Sequence, residues 1–219
     1  MVGLVGLAVA MHVLALGKTR LATNAHQLEV FQIGTRAGML FAALAGALAI
    51  TAEIRYGTIR PTFLAQPRRS PVLAAKLTVG ALIGFVYGLL AEGLMAAFAA
   101  LAFSLRGIPN ELSSGDYLRI LLGGAFAAAL WAALGVGVGA FVRNQVATLV
   151  GLCAWMFLVE SVSEGFVPGA AKLMPGGVGL SLAGNEHKLS IAIAAVLLVT
   201  HTAAAAAAGW TATLRRDVT

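Results

Sequence analysis

The sequence has few charged residues and a single cysteine. Charged side chains make up 11% of the 219 residues, against roughly 25% in an average soluble domain. Cys153 is alone, so an intramolecular disulfide is excluded. The histidines are isolated, and no set of His, Cys and Glu residues has the spacing of a metal site. The sequence therefore indicates neither a disulfide-stabilised domain nor a metal centre.

Patterns for nucleotide binding, nucleic-acid binding and catalysis are also scarce. Residues 17–19, Gly-Lys-Thr, resemble the end of a phosphate loop, but His12 stands where its first glycine is required. The glycines of residues 135–140 lie in an apolar run with no preceding strand, which favours helix packing. The basic residues are scattered and lack interleaved aromatics, which argues against nucleic acid as a partner. We expect no catalytic site and no cofactor in this chain.

Hydrophobic residues are abundant and account for 59% of the chain. Several apolar runs approach the ~20 residues needed to cross the hydrocarbon core of a bilayer. We expect an all-α, polytopic membrane protein with a single transmembrane domain, residues 1–219, and no separate soluble domain. The predicted spans are about residues 2–17, 31–51, 70–103, 117–142, 146–162 and 189–211. Ser70 and Pro71 are predicted to begin the third span, and Asp116 to cap the fourth.

Two stretches between the predicted spans stand out. Residues 52–76, called the polar segment here, combine clustered charge with three prolines, so this segment must lie in water or among lipid headgroups. Residues 164–188 are rich in glycine and proline but moderately apolar. We expect this second stretch to be an outer loop, part of which dips back into the membrane as short helices.

An even number of spans places both termini on one side of the membrane. The polar segment, residues 143–144 and residues 215–216 then share that side, which carries eight of the 15 Lys and Arg residues. The positive-inside rule decides narrowly by number, but the densest basic cluster lies in the polar segment. We therefore expect both termini in the cytoplasm and the chain in the cytoplasmic membrane, in contact with lipid.

The order of residues in the polar segment resembles a signature of ATP-binding-cassette (ABC) permease subunits, specifically the type-2 exporter family. The resemblance lies in Glu53-x-x-x-Gly57-Thr58-Ile59, then Pro67-Arg68-Arg69, then Lys76 at the start of a span. The six-span count and the loop before the last span are similar to that family too. Family members usually carry a cytoplasmic amphipathic stretch before the first span, whereas here that span is predicted from residue 2 onward.

The resemblance implies an ATP-driven exporter of a hydrophobic or amphipathic substrate. The chain would pair with a second permease copy, identical or different, and with two ATPase subunits that bind the ATP and Mg²⁺. The polar segment would form a short cytoplasmic coupling helix resting in a cleft of the ATPase. The residues to which the resemblance assigns this contact are Glu53, Arg55, Gly57, Thr58, Ile59, Arg60, Pro67, Arg68, Arg69 and Lys76.

Three of the ionisable residues within the predicted spans stand out, because charge there is costly and usually faces a cavity or a partner. Glu92, near the middle of the third span, is either part of a substrate pathway or a buried, hydrogen-bonded structural group. Glu160 and Arg36 lie near the outer ends of their spans, so we expect both to reach into the membrane interface. Gly80, Gly84 and Gly88 form a small-residue strip that predicts close helix packing.

Other classes of protein remain open at this point. A permease-like immunity or sensor subunit would bind a toxic peptide without moving it, and its sequence would look the same. A membrane-embedded lipid-modifying enzyme would need a convergent polar cluster, and a channel would need a polar-lined span. Neither feature is found in the sequence, so the exporter subunit is the leading hypothesis.

Overall fold

The computed structural model describes residues 21, 23–66, 68–184 and 189–215. Within these residues the regular elements are helices and no strand occurs, which confirms the all-α fold class. Five helical stretches are long and apolar enough to cross a membrane, so the chain is a multi-pass membrane protein. They are α1 (Asn24–Arg55), α3 (Arg69–Arg106), α4 (Ser114–Val142), the stretch Gln145–Phe166, and α8 (Ile191–Arg215).

The remaining elements are short. Helix α2 (Ile59–Ala65) lies between α1 and α3. The stretch Gln145–Phe166 consists of α5 (Gln145–Ala154), a π-helical turn (Trp155–Val159) and α6 (Glu160–Phe166). A 3₁₀ turn (Ala171–Leu173) and α7 (Pro175–Leu182) follow, so the predicted loop 164–188 does contain short helices. The predicted first span, residues 2–17, lies outside the described residues, and the count of six spans stays a prediction.

The spans are longer than predicted, and their starts differ from the predicted ones, most of all in α1, which begins at Asn24 and not near residue 31. Helix α3 begins at Arg69 with Arg68 as its N-cap, not at Ser70–Pro71. Pro71 is tolerated there because the first N–H groups of a helix have no partner within it. Helix α4 is capped by Ser113, whose hydroxyl accepts from the Asp116 N–H while the Asp116 carboxylate accepts from the Ser113 N–H. Asp116 is thus the distal half of a capping box, not the cap itself.

Helix α4 lies at the centre of the bundle. In its apolar 18-residue stretch 72% of the residues are buried, against 17% in α8, and it packs against α1, α3 and α8. Small residues make this close packing possible. A Cβ on Gly135 would overlap the carbonyl of Ala43 on α1, and one on Gly137 would lie 2.5 Å from the carbonyl carbon of Ala205 on α8. These are the glycines of the 135–140 pattern, and they face backbone.

The glycine strip on α3 faces α4. A Cβ on Gly84 would lie 2.6 Å from both the Ala128 carbonyl oxygen and the Ala132 Cβ. One on Gly88 would lie 2.5 Å from the Ala125 Cα, and one on Gly80 would lie 2.9 Å from a methyl group of Val136. Gly84 and Gly88 therefore approach the backbone of α4, Gly80 packs against one of its side chains, and larger side chains on this strip would force the helices apart.

Candidate functional site

The polar segment forms a helix–turn–helix at one end of the bundle, called the basic end here. Gly57 ends the turn after α1 with a φ of +73°, a left-handed conformation that side chains rarely adopt. Ile59, the first residue of α2, is 3% exposed and fixes the start of this helix. Leu64 is 83% exposed and Tyr56 71% exposed. Ile59 therefore anchors the start of α2, while Tyr56 and Leu64 present apolar side chains outward.

A partly buried ion pair joins the two spans that flank α2. The Lys76 Nζ lies 2.7 Å from the Glu53 Oε1, and the side chains are 16% and 33% exposed, respectively. Lys76 also donates to the Ala49 carbonyl at 3.1 Å. The first and last residues of the signature thus bind each other, and together they connect the end of α1 to the second turn of α3.

Two arginines bind groups on other spans at the same end. The Arg55 guanidinium donates to the Gln145 side chain at 3.2 Å, and it also lies over the Tyr56 ring at 5.6 Å from the centroid. The Arg69 guanidinium donates to the Thr213 carbonyl at 2.9 Å, near the end of α8. These contacts bring the polar segment, the α4–α5 junction and the end of α8 to one end of the bundle.

The other signature residues are not part of this set of contacts. Arg68, Gly57 and Thr58 are exposed, and the Thr58 carbonyl accepts from the Thr62 hydroxyl at 3.2 Å. Pro67 and the side chain of Arg60 lie outside the described part of the structure. The residues of the segment therefore fall into two groups. Glu53, Arg55, Arg69 and Lys76 contact other parts of the bundle, whereas Gly57, Thr58 and Arg68 face away from it.

Glu92 lies where α1, α3 and α4 meet. It is 2% exposed, and its Oε1 accepts from the Thr35 hydroxyl at 2.5 Å. A Cβ on Gly124 would lie 2.5 Å from that same oxygen, so the glycine makes room for the carboxyl group. Its Oε2 has no hydrogen-bond partner among the described residues. This placement favours the buried structural role of Glu92 over the pathway role. Thr35 was not predicted as its partner, because a threonine within a membrane span is common and gives no signal in the sequence.

An apolar groove runs between α1 and the stretch Gln145–Phe166. Its volume is about 480 Å³, and its lining is almost wholly apolar. The lining includes Leu44, Leu48, Leu149, Val150, Phe157 and Leu158. The groove lies along the membrane-crossing part of the bundle, where a hydrophobic molecule is as well accommodated as a lipid chain.

Glu160 is buried near its end of the bundle, and the expectation that it reaches into the membrane interface stays a prediction. It is 8% exposed, and its Oε1 accepts from the Trp155 indole N–H at 3.2 Å and from the Gly176 N–H at 2.8 Å. The π-helical turn brings Trp155 and Glu160 together, and a Cβ on Gly176 would overlap the carboxylate. Sequence reasoning missed this contact because the two partners are 16 residues apart across a loop.

Comparison of the sequence with protein-family models and with curated proteins found no match. The structure by itself defines a helical, multi-pass membrane protein. Its most developed polar site is the helix–turn–helix at the basic end.

Proposed function

We propose that the chain is the permease subunit of an ABC exporter of the type-2 family. The observation that supports this most is the position of α2. The helix lies between two spans that are joined by the Glu53–Lys76 ion pair, and it leaves Leu64 outside the bundle. Because α2 is held between these two spans, a movement of α2 caused by a soluble partner is passed directly to α1 and α3. In this proposal α2 is the coupling helix, the basic end is cytoplasmic, and residues 2–17 complete six spans.

The surface proposed to bind the partner contains both apolar and positively charged exposed side chains. Leu64 and Tyr56 supply apolar contact, and Arg68 supplies positive charge. Tyrosine and arginine are enriched among the residues that contribute most to binding at protein interfaces, and Leu64 adds apolar contact area beside them. Because these groups extend from the charged end of the bundle, a lipid chain does not cover them. We infer that two ATPase subunits, which bind ATP and Mg²⁺, contact two permease copies through this surface.

The groove supports the proposed substrate class. A groove of about 480 Å³ with an almost wholly apolar lining has almost no polar groups that could bind a hydrated ion or a sugar. It suits a hydrophobic or amphipathic molecule that enters from the bilayer. We therefore propose export of such a molecule across the cytoplasmic membrane, with both termini cytoplasmic.

The test compares two exposed leucines on opposite ends of the bundle. The chain is co-expressed with a candidate ABC ATPase subunit and purified through a tag on the permease. In Leu64→Glu the carboxylate has to enter the partner's pocket, so we expect the ATPase to be lost from the purified complex. Leu105 is 78% exposed near the other end of α3, and Leu105→Glu is the matched control that should retain the ATPase.

Retention of the ATPase by Leu64→Glu, with the wild-type complex intact, would refute the assignment of α2 as the coupling helix. Transport separates the exporter from the immunity or sensor alternative. A complex that forms through Leu64 and hydrolyses ATP, but protects cells from a peptide without lowering its internal concentration, supports the alternative.

A further inference from the structure

A second polar site lies at the opposite end of the bundle from the polar segment. It is a cavity of about 280 Å³ between the stretch Gln145–Phe166 and α7. Arg36 of α1 lines it, 17 residues before Glu53, which places it about 26 Å from the basic end at 1.5 Å per residue. That separation is close to the ~30 Å thickness of the hydrocarbon core. The cavity therefore lies at the level of the lipid headgroups on the far side of the membrane.

The cavity lining carries charge of both signs. Glu160 and Glu164 contribute two carboxylates, Arg36 and Lys172 contribute two cations, and Ser161 contributes a hydroxyl. With nothing bound, the formal charge of the lining is zero. A ligand of one sign would be attracted by one pair and repelled by the other, whereas a ligand that carries both signs satisfies both pairs.

The carboxylates are held in place by backbone and indole N–H groups. Glu160 accepts from Gly176 at 2.8 Å and from Trp155 at 3.2 Å. Glu164 accepts from the Gly169 and Ala171 N–H groups, each at 3.0 Å. An ionised carboxylate has about four acceptor positions, and the contacts of Glu160 through Oε1 leave capacity on this group. A buried carboxylate oriented in advance is a good acceptor for an ammonium group.

The two cationic side chains, unlike the two carboxylates, are not fixed by hydrogen bonds to the described residues. Arg36 makes no hydrogen bond or ion pair with any residue that the structure describes, and it lines the cavity together with Glu160. Lys172 is exposed, and its side chain extends over Gly169, where a Cβ would lie 3.5 Å from the Nζ. A guanidinium and an ammonium that line the same cavity can bind a phosphate oxygen each.

We propose that this cavity binds a zwitterion in which an ammonium group and a phosphate are separated by a short chain, as in phosphoethanolamine. The phosphate lies against Arg36 and Lys172, and the ammonium group lies against Glu160. The volume is several times the ~30 Å³ share of one water molecule, which is enough for such a headgroup. The same chemistry is found in free phosphoethanolamine and in the headgroup of phosphatidylethanolamine. This inference is independent of export, because it concerns binding alone.

Binding is measured on the purified full chain by thermal shift and by native mass spectrometry. One arm adds soluble phosphoethanolamine, and a second adds phosphatidylethanolamine, with phosphatidylglycerol as the anionic comparison. Ethylamine and methyl phosphate, each carrying half of the zwitterion, are added separately. We expect the zwitterion to bind more tightly than either half by about tenfold or more, since each half loses one charged contact.

Three variants assign the site. Arg36→Ala, Lys172→Ala and Glu160→Gln should each weaken binding about tenfold. Arg106→Ala is the matched control, because Arg106 ends α3 on the same side and does not line the cavity. Lys172 is exposed, so its removal tests the site even if Glu160→Gln lowers the yield.

Each result of these measurements either supports or overturns the proposed zwitterion site. Binding of both forms, or of the lipid alone, supports the proposal, and the second result identifies the lipid as the source. Methyl phosphate or ethylamine binding as tightly as the zwitterion would overturn it, and so would binding that is unchanged in Lys172→Ala and Arg36→Ala. Failure of the soluble compound and of the lipid to bind would overturn it as well.

Discussion

The close packing of α3 on α4 can be tested with two glycines of the same helix. Gly84 faces α4, where a Cβ would lie 2.6 Å from the Ala128 carbonyl oxygen. Gly93 lies nine residues further along, is exposed, and has nothing within 4 Å of a Cβ. Leucine at either position gains the same intrinsic helix propensity, about 1 kcal/mol over glycine. The difference between Gly84→Leu and Gly93→Leu therefore measures the packing alone.

We expect Gly84→Leu to lower the free energy of unfolding by about 3 kcal/mol relative to Gly93→Leu. Overpacking costs typically about 1–3 kcal/mol, and the upper end applies because the obstacle is backbone of the buried central helix and cannot move like a side-chain tip. Unfolding is followed by tryptophan fluorescence in mixed micelles of a mild detergent and dodecyl sulfate. Equal stabilities of the two variants would refute the backbone-distance approach of α3 and α4.

Three further predictions follow from other contacts. Glu53→Ala and Lys76→Ala should show a coupling of about 1 kcal/mol in a double-mutant cycle of unfolding, as expected of a partly exposed ion pair, and additive losses would show that the pair contributes nothing. Glu92→Gln should be nearly silent in both stability and export, whereas Glu92→Leu should cost about 1–3 kcal/mol by removing the buried hydrogen bond from the Thr35 hydroxyl. Altered export in Glu92→Gln would instead return Glu92 to the pathway. Single cysteines at Arg68 and Leu173, in a Cys153→Ala background, should be labelled by a membrane-impermeant maleimide from opposite sides, and labelling from one side would contradict the topology.

Composition and hydropathy were enough to predict the fold class. Apolar runs of the right length predicted each of the five long helices that the structure describes, because a bilayer imposes a length on its spans. Their ends were placed less well. Helix α1 extends from Asn24, before the apolar run that was predicted to begin near residue 31, because polar residues such as Gln27 bind the α3–α4 loop at that end. Such contacts depend on partners far away in the sequence.

The two polar sites differ in how far the sequence could predict them. At the basic end the order of residues brought Glu53, Arg69 and Lys76 to attention, and the structure then supplied their partners. At the opposite end the decisive contact is between a carboxylate on a span and backbone N–H groups of a loop helix. Backbone donors leave no signature in a sequence. Glu160 could therefore be noticed as an unusual residue but not assigned to a site.

The central claim is that this chain is a permease that works with separate ATPase subunits. Its most direct test is the mass and ATP hydrolysis of the purified protein, measured alone and after co-expression with a candidate ABC ATPase subunit. The account predicts no hydrolysis by the chain alone, and a complex of two permease and two ATPase chains that hydrolyses ATP. As control, an ATPase whose catalytic residues are inactivated should assemble with the chain without hydrolysing ATP. ATP hydrolysis by the isolated chain would contradict this claim. So would an ATPase that does not co-purify with the chain after co-expression.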